Sequence, residues 1–138
     1  ATRKMVLKGA DAVVFVADSQ AVMRDQNIES LENMYENLTS NNISADNIPI
    51  ILQYNKRDLD NVLTLDELNK DMNPDGRYSV VEAVAVNGTG VETTFNTVTR
   101  LLIKNIAQKH KIDIQAPESV GIKHNLNGEI IKITITGW

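Results

Sequence analysis

Three stretches of this chain are nearly continuous runs of apolar residues, and each is followed by a segment in which apolar residues recur every three or four positions. The first run, Ala12-Val13-Val14-Phe15-Val16-Ala17, is β-branched and aromatic, as suits a strand buried on both faces of a parallel sheet. Asp18-Ser19 closes it with side chains that can cap free backbone groups. From Gln26 to Leu38 the apolar positions Ile28, Leu31, Met34 or Tyr35, and Leu38 predict an amphipathic helix. Glu29, Glu32 and Glu36 fall between them; their spacing could bring three carboxylates to a hard cation, but it reads as the solvated face of that helix.

The polar loop Asn41 to Asn47 leads into a second strand, Ile48 to Tyr54, with Pro49 near its start where a missing N–H is tolerated. Thr64-Leu65-Asp66-Glu67 has the pattern of a capping box and opens a short helix through Leu68 and Met72, which Asn73-Pro74-Asp75-Gly76 ends. A third strand is predicted over Ser79 to Val86, then a loop, Asn87-Gly88-Thr89-Gly90. A long helix follows with Val91, Phe95, Val98, Leu102 and Ile106 on one face. Lys104, Lys109 and Lys111 lie toward its negative end. Ala1 to Lys8 reads as the last turns of another helix, stopped by Gly9. Repeated strand-helix units imply an α/β fold with right-handed crossovers and a parallel sheet covered on both sides.

Past Pro117 the pattern changes to alternation. Val120 to Leu126, the turn Asn127-Gly128, and Glu129 to Thr136 read as a β-hairpin. Pairing across that turn sets Val120 against Ile135, Ile122 against Ile133 and His124 against Ile131, so the apolar side chains share a face. A lone hairpin is marginal in water and must pack on the sheet or on another chain. The chain thus divides into the βα units of residues 1–112 and an extension over residues 113–138. His124 reads as a strand-face residue and His110 as a helix-end cation.

Composition narrows the functional classes. With 138 residues and 42% hydrophobic content the chain can bury a real core. A net charge of -4 without a clustered basic surface argues against nucleic acid as a partner. No cysteine is present, so disulfides and thiolate metal sites are excluded, and no apolar run reaches the length of a transmembrane span. A cytoplasmic location is the expectation. The chain starts at Ala1 without an initiator methionine and reads as a piece of a longer protein.

The candidate chemistry lies at the end of the second strand, in Asn55-Lys56-Arg57-Asp58. A carboxylate there can accept two parallel hydrogen bonds from the N1 and N2 donors of guanine, which adenine lacks, so Asp58 would supply both strength and base choice. Asn55 would brace the loop, and Lys56 would lay its apolar stem along the purine while its ammonium stays in water. Ligands of open α/β sheets collect at this carboxyl edge. An ordinary polar turn would use the same residue types.

About thirty residues on, Val84-Ala85-Val86 with Gly90-Val91 resembles the last guanine-recognition loop of small Ras-like GTPases, in which an alanine amide reaches the base oxygen. Ala85 is the matching residue, with Val86 beside it. More specifically, Arg3 to Asp11, Val13 to Gln20, Gln53 to Leu59, and Ala83-Val84-Ala85 with Thr89-Gly90-Val91 resemble the bacterial gliding-motility GTPases of the MglA type. The resemblance runs from Ala1 to about Lys111.

That resemblance implies a Ras-like G domain: a cytoplasmic switch that binds GTP or GDP and hydrolyses GTP. It also implies a role in cell polarity and gliding motility and a Roadblock-type activating partner. Its base contacts would be Asn55, Lys56, Asp58, Ala85 and Val86. The chain departs from the family pattern in having no Gly-X-X-X-X-Gly-Lys-Ser/Thr phosphate loop and no Asp-X-X-Gly ahead of the first strand. It therefore corresponds to the C-terminal half of a partial P-loop NTPase fold. Magnesium is expected only with the other half, no catalytic residue is assigned, and this portion alone is expected not to turn over GTP. Val84 and Val86 stand where Ser and Lys are common in Ras.

Two other classes fit the same sequence. One is a non-catalytic interaction module on a G-domain-like scaffold, self-associating through an exposed sheet edge. The other is a phospho-receiver-like domain using Asp18 and Lys56, although the acidic pair that magnesium needs is missing.

Overall fold

The computed structural model describes residue 7, residues 9–110 and residues 133–137. The described strands are β1 Ala12–Asp18, β2 Ile50–Asn55, β3 Ser79–Glu82 and β4 Ile133–Gly137, and the helices are α1 Arg24–Ser40, α2 Leu65–Met72 and α3 Val91–His110. They form a four-stranded sheet in the order β3-β2-β1-β4. Every pairing is parallel: β1–β2 and β2–β3 as the βα repetition implied, and β1–β4 in addition.

The two faces of the sheet are divided by the pleat. Val13, Phe15 and Ala17 of β1 and Leu52 and Tyr54 of β2 face α1 and α2, packing on Leu31, Met34, Leu38, Leu68 and Met72. Ala12, Val14 and Val16 with Ile51 and Val81 face α3, packing on Val98 and Leu102. Strands buried on both sides need apolar residues at consecutive positions, which is why β1 reads as an unbroken run.

The helices follow the predicted faces with informative shifts. In α1 the position beside Ile28 is taken by Asn27, which is buried, while Ile28 is only half-buried. The reason is polar: Asn27 Nδ2 donates to the Asp18 carbonyl at 2.8 Å, and its Oδ1 accepts from the Asp18 N–H at 3.1 Å. Glu29, Glu32 and Glu36 are exposed, as a solvated face requires. Among the described residues no group of three or more His, Cys, Asp or Glu gathers to hold a metal.

In α3 the inward face begins at Thr94 and continues through Val98 and Leu102, with Val91 exposed. Thr94 earns its place through Gln53 of β2, whose Nε2 donates to Thr94 Oγ1 at 2.8 Å. The capping box opens α2 as expected: the Glu67 N–H donates to Thr64 Oγ1 at 3.1 Å, and Glu67 Oε1 accepts from the Thr64 N–H at 3.0 Å. Tyr54, fully buried, ties β2 to that helix by donating to Asn69 Oδ1 at 2.7 Å, and burial pushes its phenol up to about 12.

Two strand expectations are corrected. The second strand starts at Ile50 instead of Ile48: Pro49 has no N–H to give, and only its carbonyl takes part, accepting from the Val13 N–H at 3.0 Å. The third ends at Glu82 instead of Val86, and Ala85–Asn87 forms a 3-10 turn. Val84 instead bridges back to Thr89. β1 is paired in parallel with β4 from Ala12↔Ile133 to Val16↔Gly137, which makes β4 the edge strand on that side. Residues 133–137 come from the second arm of the expected hairpin; its first arm and turn lie outside the described residues, as do His124 and all but Leu7 of the expected N-terminal helix. Ile133 packs toward the α3 side of the core, and Ile135 is exposed.

Gly90 lets the turn after β3 close: its φ is +80°, and an added Cβ would lie 2.3 Å from the Glu82 carbonyl oxygen. Gly90→Ala is expected to cost about 2–3 kcal/mol of stability through strain and displacement of Glu82. Gly76, also at positive φ but facing open space, should cost about 1 kcal/mol on the same change. Urea unfolding of both variants checks this ordering; equal losses would show that the Glu82 contact does not matter.

Candidate nucleotide-base site

The carboxyl ends of β1, β2 and β3 are joined by polar contacts that build one rim. Register places Asp18 beside Asn55 across the β1–β2 ladder. The Ser19 N–H donates to the Asn55 carbonyl at 3.0 Å, and the Leu63 N–H returns to the Ser19 carbonyl at 2.8 Å. The loop after β2 is thereby tied to the segment after β1 at both of its ends.

Within that loop Arg57 is a strut. Its Nε donates to Glu82 Oε1 at 3.2 Å, its guanidinium also donates to the Leu63 carbonyl at 2.7 Å, and its N–H reaches the Ala83 carbonyl at 3.2 Å. The second position of the loop, Lys56, has φ +64° and so occupies the left-handed region. That conformation costs a residue with a Cβ about 1–2 kcal/mol, so the contacts around the loop must over-determine it. The Leu59 N–H closes the turn on the Lys56 carbonyl at 3.2 Å.

Asn55, Lys56, Asp58, Leu59, Val84, Ala85 and Val86 line one open hollow of about 190 Å³. Pockets that enclose whole drug-sized ligands run to roughly 300–1,000 Å³, so this hollow is smaller than those. All five sequence-predicted site residues are thus brought together. Asp58 is exposed and its carboxylate makes no hydrogen bond or ion pair with the described residues. Asn55 Oδ1 accepts the Ala85 N–H at 2.9 Å, so Asn55 braces one loop against the other. Val86 is an apolar residue left 92% exposed.

One sequence expectation fails in detail. The Lys56 ammonium does not stand free in water: it pairs with Asp18 Oδ2 at 3.0 Å. Asp18 is itself buried and already held, since the Gln20 N–H donates to Oδ1 at 3.0 Å and Gln20 Nε2 reaches both oxygens at 3.1 Å. Sequence reasoning assigned Asp18 a capping role, and set it with Lys56 only under the phospho-receiver-like alternative; its place directly after an apolar run, one strand from Asn55, was the available signal. The roles of Arg57 and Asn27 had no local signal at all.

A parallel α/β sheet with helices on both faces and an open hollow at its carboxyl edge is consistent with part of a Ras-like G domain. The chain is 43% identical over 106 residues to the mutual gliding-motility protein MglA of Myxococcus xanthus, covering 77% of this chain and 54% of that protein. This makes it a relative of the MglA-type gliding-motility small GTPases. It spans about half the length of the curated relative it matches. No family model matches the chain.

Burial draws the Asp18 carboxyl upward, but the Gln20 N–H, the Lys56 ammonium and the Gln20 amide together hold it below the ordinary 3.8. A carboxyl with a lowered folded pKa adds stability above its unfolded value, and that stability is lost as pH falls through the folded value. Asp18→Asn should therefore lower stability near neutral pH, with the gap to the parent chain closing below about pH 3.8. Urea midpoints of both proteins across the acid range test this; a gap unchanged at low pH would show that Asp18 stabilises through shape instead of charge.

Proposed function

We propose that this chain carries the guanine-recognition half of an MglA-type small GTPase. The observation that carries the reading is Asp58: an unpaired, exposed carboxylate on the rim of a hollow that also presents the Ala85 amide. The carboxylate would accept from guanine N1 and N2, while the Ala85 N–H would turn from Asn55 Oδ1 to the base oxygen. Adenine offers a donor where guanine offers that oxygen, so two donors would face one another and the wrong base is rejected. The Lys56 stem and the exposed Val86 and Leu59 give the purine apolar surface to cover.

In this reading GTP and GDP are ligands of the whole protein, a switch in the cytoplasm that sets polarity and gliding and answers to a Roadblock-type partner. None of the helices among the described residues is long and apolar enough to cross a membrane. Phosphoryl transfer depends on a phosphate-cradling loop and magnesium, and these 138 residues contain neither the loop motif nor a described cluster suited to the metal. What this chain's own residues do is bind and orient the base. Domain organisation follows: residues 1–112 supply the G-domain half, and the extension over 113–138 contributes β4 to its sheet.

Under the interaction-module reading, β4 covers β1 and is itself an edge strand of the order β3-β2-β1-β4, so a sheet edge stays available to a partner. What favours the base-site reading is the meeting of Asn55, Lys56, Asp58, Ala85 and Val86 at one hollow.

Titrating the isotope-labelled chain with guanosine, GDP and adenosine tests it by NMR. Guanosine and GDP should shift amides at 55–59 and 84–87 with an affinity on the order of millimolar, since most charge-assisted phosphate contacts are lacking. Asp58→Ala should weaken guanosine by roughly ten- to a hundredfold, the worth of hydrogen bonds to a charged group. Equal responses to guanosine and adenosine would overturn the assignment.

A further inference from the structure

We infer that Asp18 is a positioning residue for purine recognition, fixing Lys56 so that its aliphatic stem forms a set wall of the base hollow. The inference rests on the base-site reading above. Asp18 is not on the base loop but on the neighbouring strand, where register sets it beside Asn55. Its backbone is clamped by both ends of the Asn27 amide, and its carboxylate by Gln20 from main chain and side chain. The anion is therefore in place before Lys56 arrives.

Lys56 has the opposite character. Its side chain is 47% exposed, against 9% for Asp18, and a four-carbon stem left free would sample many rotamers beside the hollow. A pair between two exposed side chains gains little because both must be ordered. Here one partner is pre-held, so only the lysine is ordered. That ordering is complete before a base enters, which removes a cost from binding. The left-handed backbone at Lys56 fits the same purpose, since it fixes where the stem leaves the loop and lets its ammonium reach Asp18 Oδ2 at 3.0 Å.

The test uses the 138-residue chain with Asp18→Asn, Lys56→Ala and the double variant. Acylation of each lysine amine, read by mass spectrometry, should be several-fold slower at Lys56 than at the exposed Lys70 and Lys104, and Asp18→Asn should erase the difference. By NMR titration, Asp18→Asn should weaken guanosine binding several-fold, yet add nothing in the Lys56→Ala background. A merely structural Asp18 would weaken binding equally in both backgrounds, which overturns the inference, as does Lys56 reacting as fast as Lys70. If Asp18→Asn does not fold, Lys56→Met carries the test on an exposed position: a stem without its anchor should bind guanosine as weakly as Lys56→Ala, and unchanged binding overturns the inference. A parent chain that does not prefer guanosine over adenosine overturns the base-site reading and this inference with it. A parent chain that does, with Asp18→Asn unchanged, overturns this inference alone.

Discussion

The rest of the structure depends on the register of the β1–β2 ladder, which runs from Val13↔Ile50 to Asp18↔Asn55. Side chains alternate across a strand, so a slip of β2 by one residue along β1 would exchange the two faces of β2. Leu52 and Tyr54 would leave α1 and α2, and Gln53 would leave α3. The hydrophobic effect on both faces therefore locks the register. Locking it sets the polar residues at the carboxyl ends side by side, and the site is a by-product of the core.

Above that ladder, the rim is held by buried or half-buried polar groups whose bonds are satisfied. Asn27 completes the backbone of Asp18, Gln53 joins β2 to the start of α3, and Arg57 joins three loop segments. Each would be costly to leave unpaired in the interior. Together they leave the backbone of the base loop little freedom, and this rigidity is what an open hollow needs to discriminate between flat ligands. Asp58 and Val86, by contrast, remain exposed with their bonding capacity or apolar surface unspent.

The likeness to MglA and the sheet fit one another but emphasise different parts. The likeness covers 77% of the chain at 43% identity. The sheet adds β4, whose pairing along β1 makes the C-terminal residues 133–137 part of the same hydrogen-bonded layer as the base loops. Gly137 allows that pairing to end tightly, since an added Cβ there would lie 2.1 Å from the Val16 carbonyl oxygen.

The sequence by itself determined the local and repetitive features. Continuous β-branched runs gave buried strands, the Thr64–Glu67 spacing gave a cap, and the order of elements required a parallel sheet. Asn55-Lys56-Arg57-Asp58 was legible as candidate chemistry because its donors and acceptors are given by residue type, and Ala85 through the resemblance of its loop. Tertiary structure decided what depends on partners far along the chain. Asn27 displaces Ile28 because Asp18 needs its amide, and β3 stops at Glu82 because Gly90 turns the chain back onto it. Lys56 meets Asp18 because register brings two strand ends together. Periodicity reports how one residue relates to its near neighbours; it carries no information on which distant polar group will complete a hydrogen bond, and those pairings are settled only when the core closes.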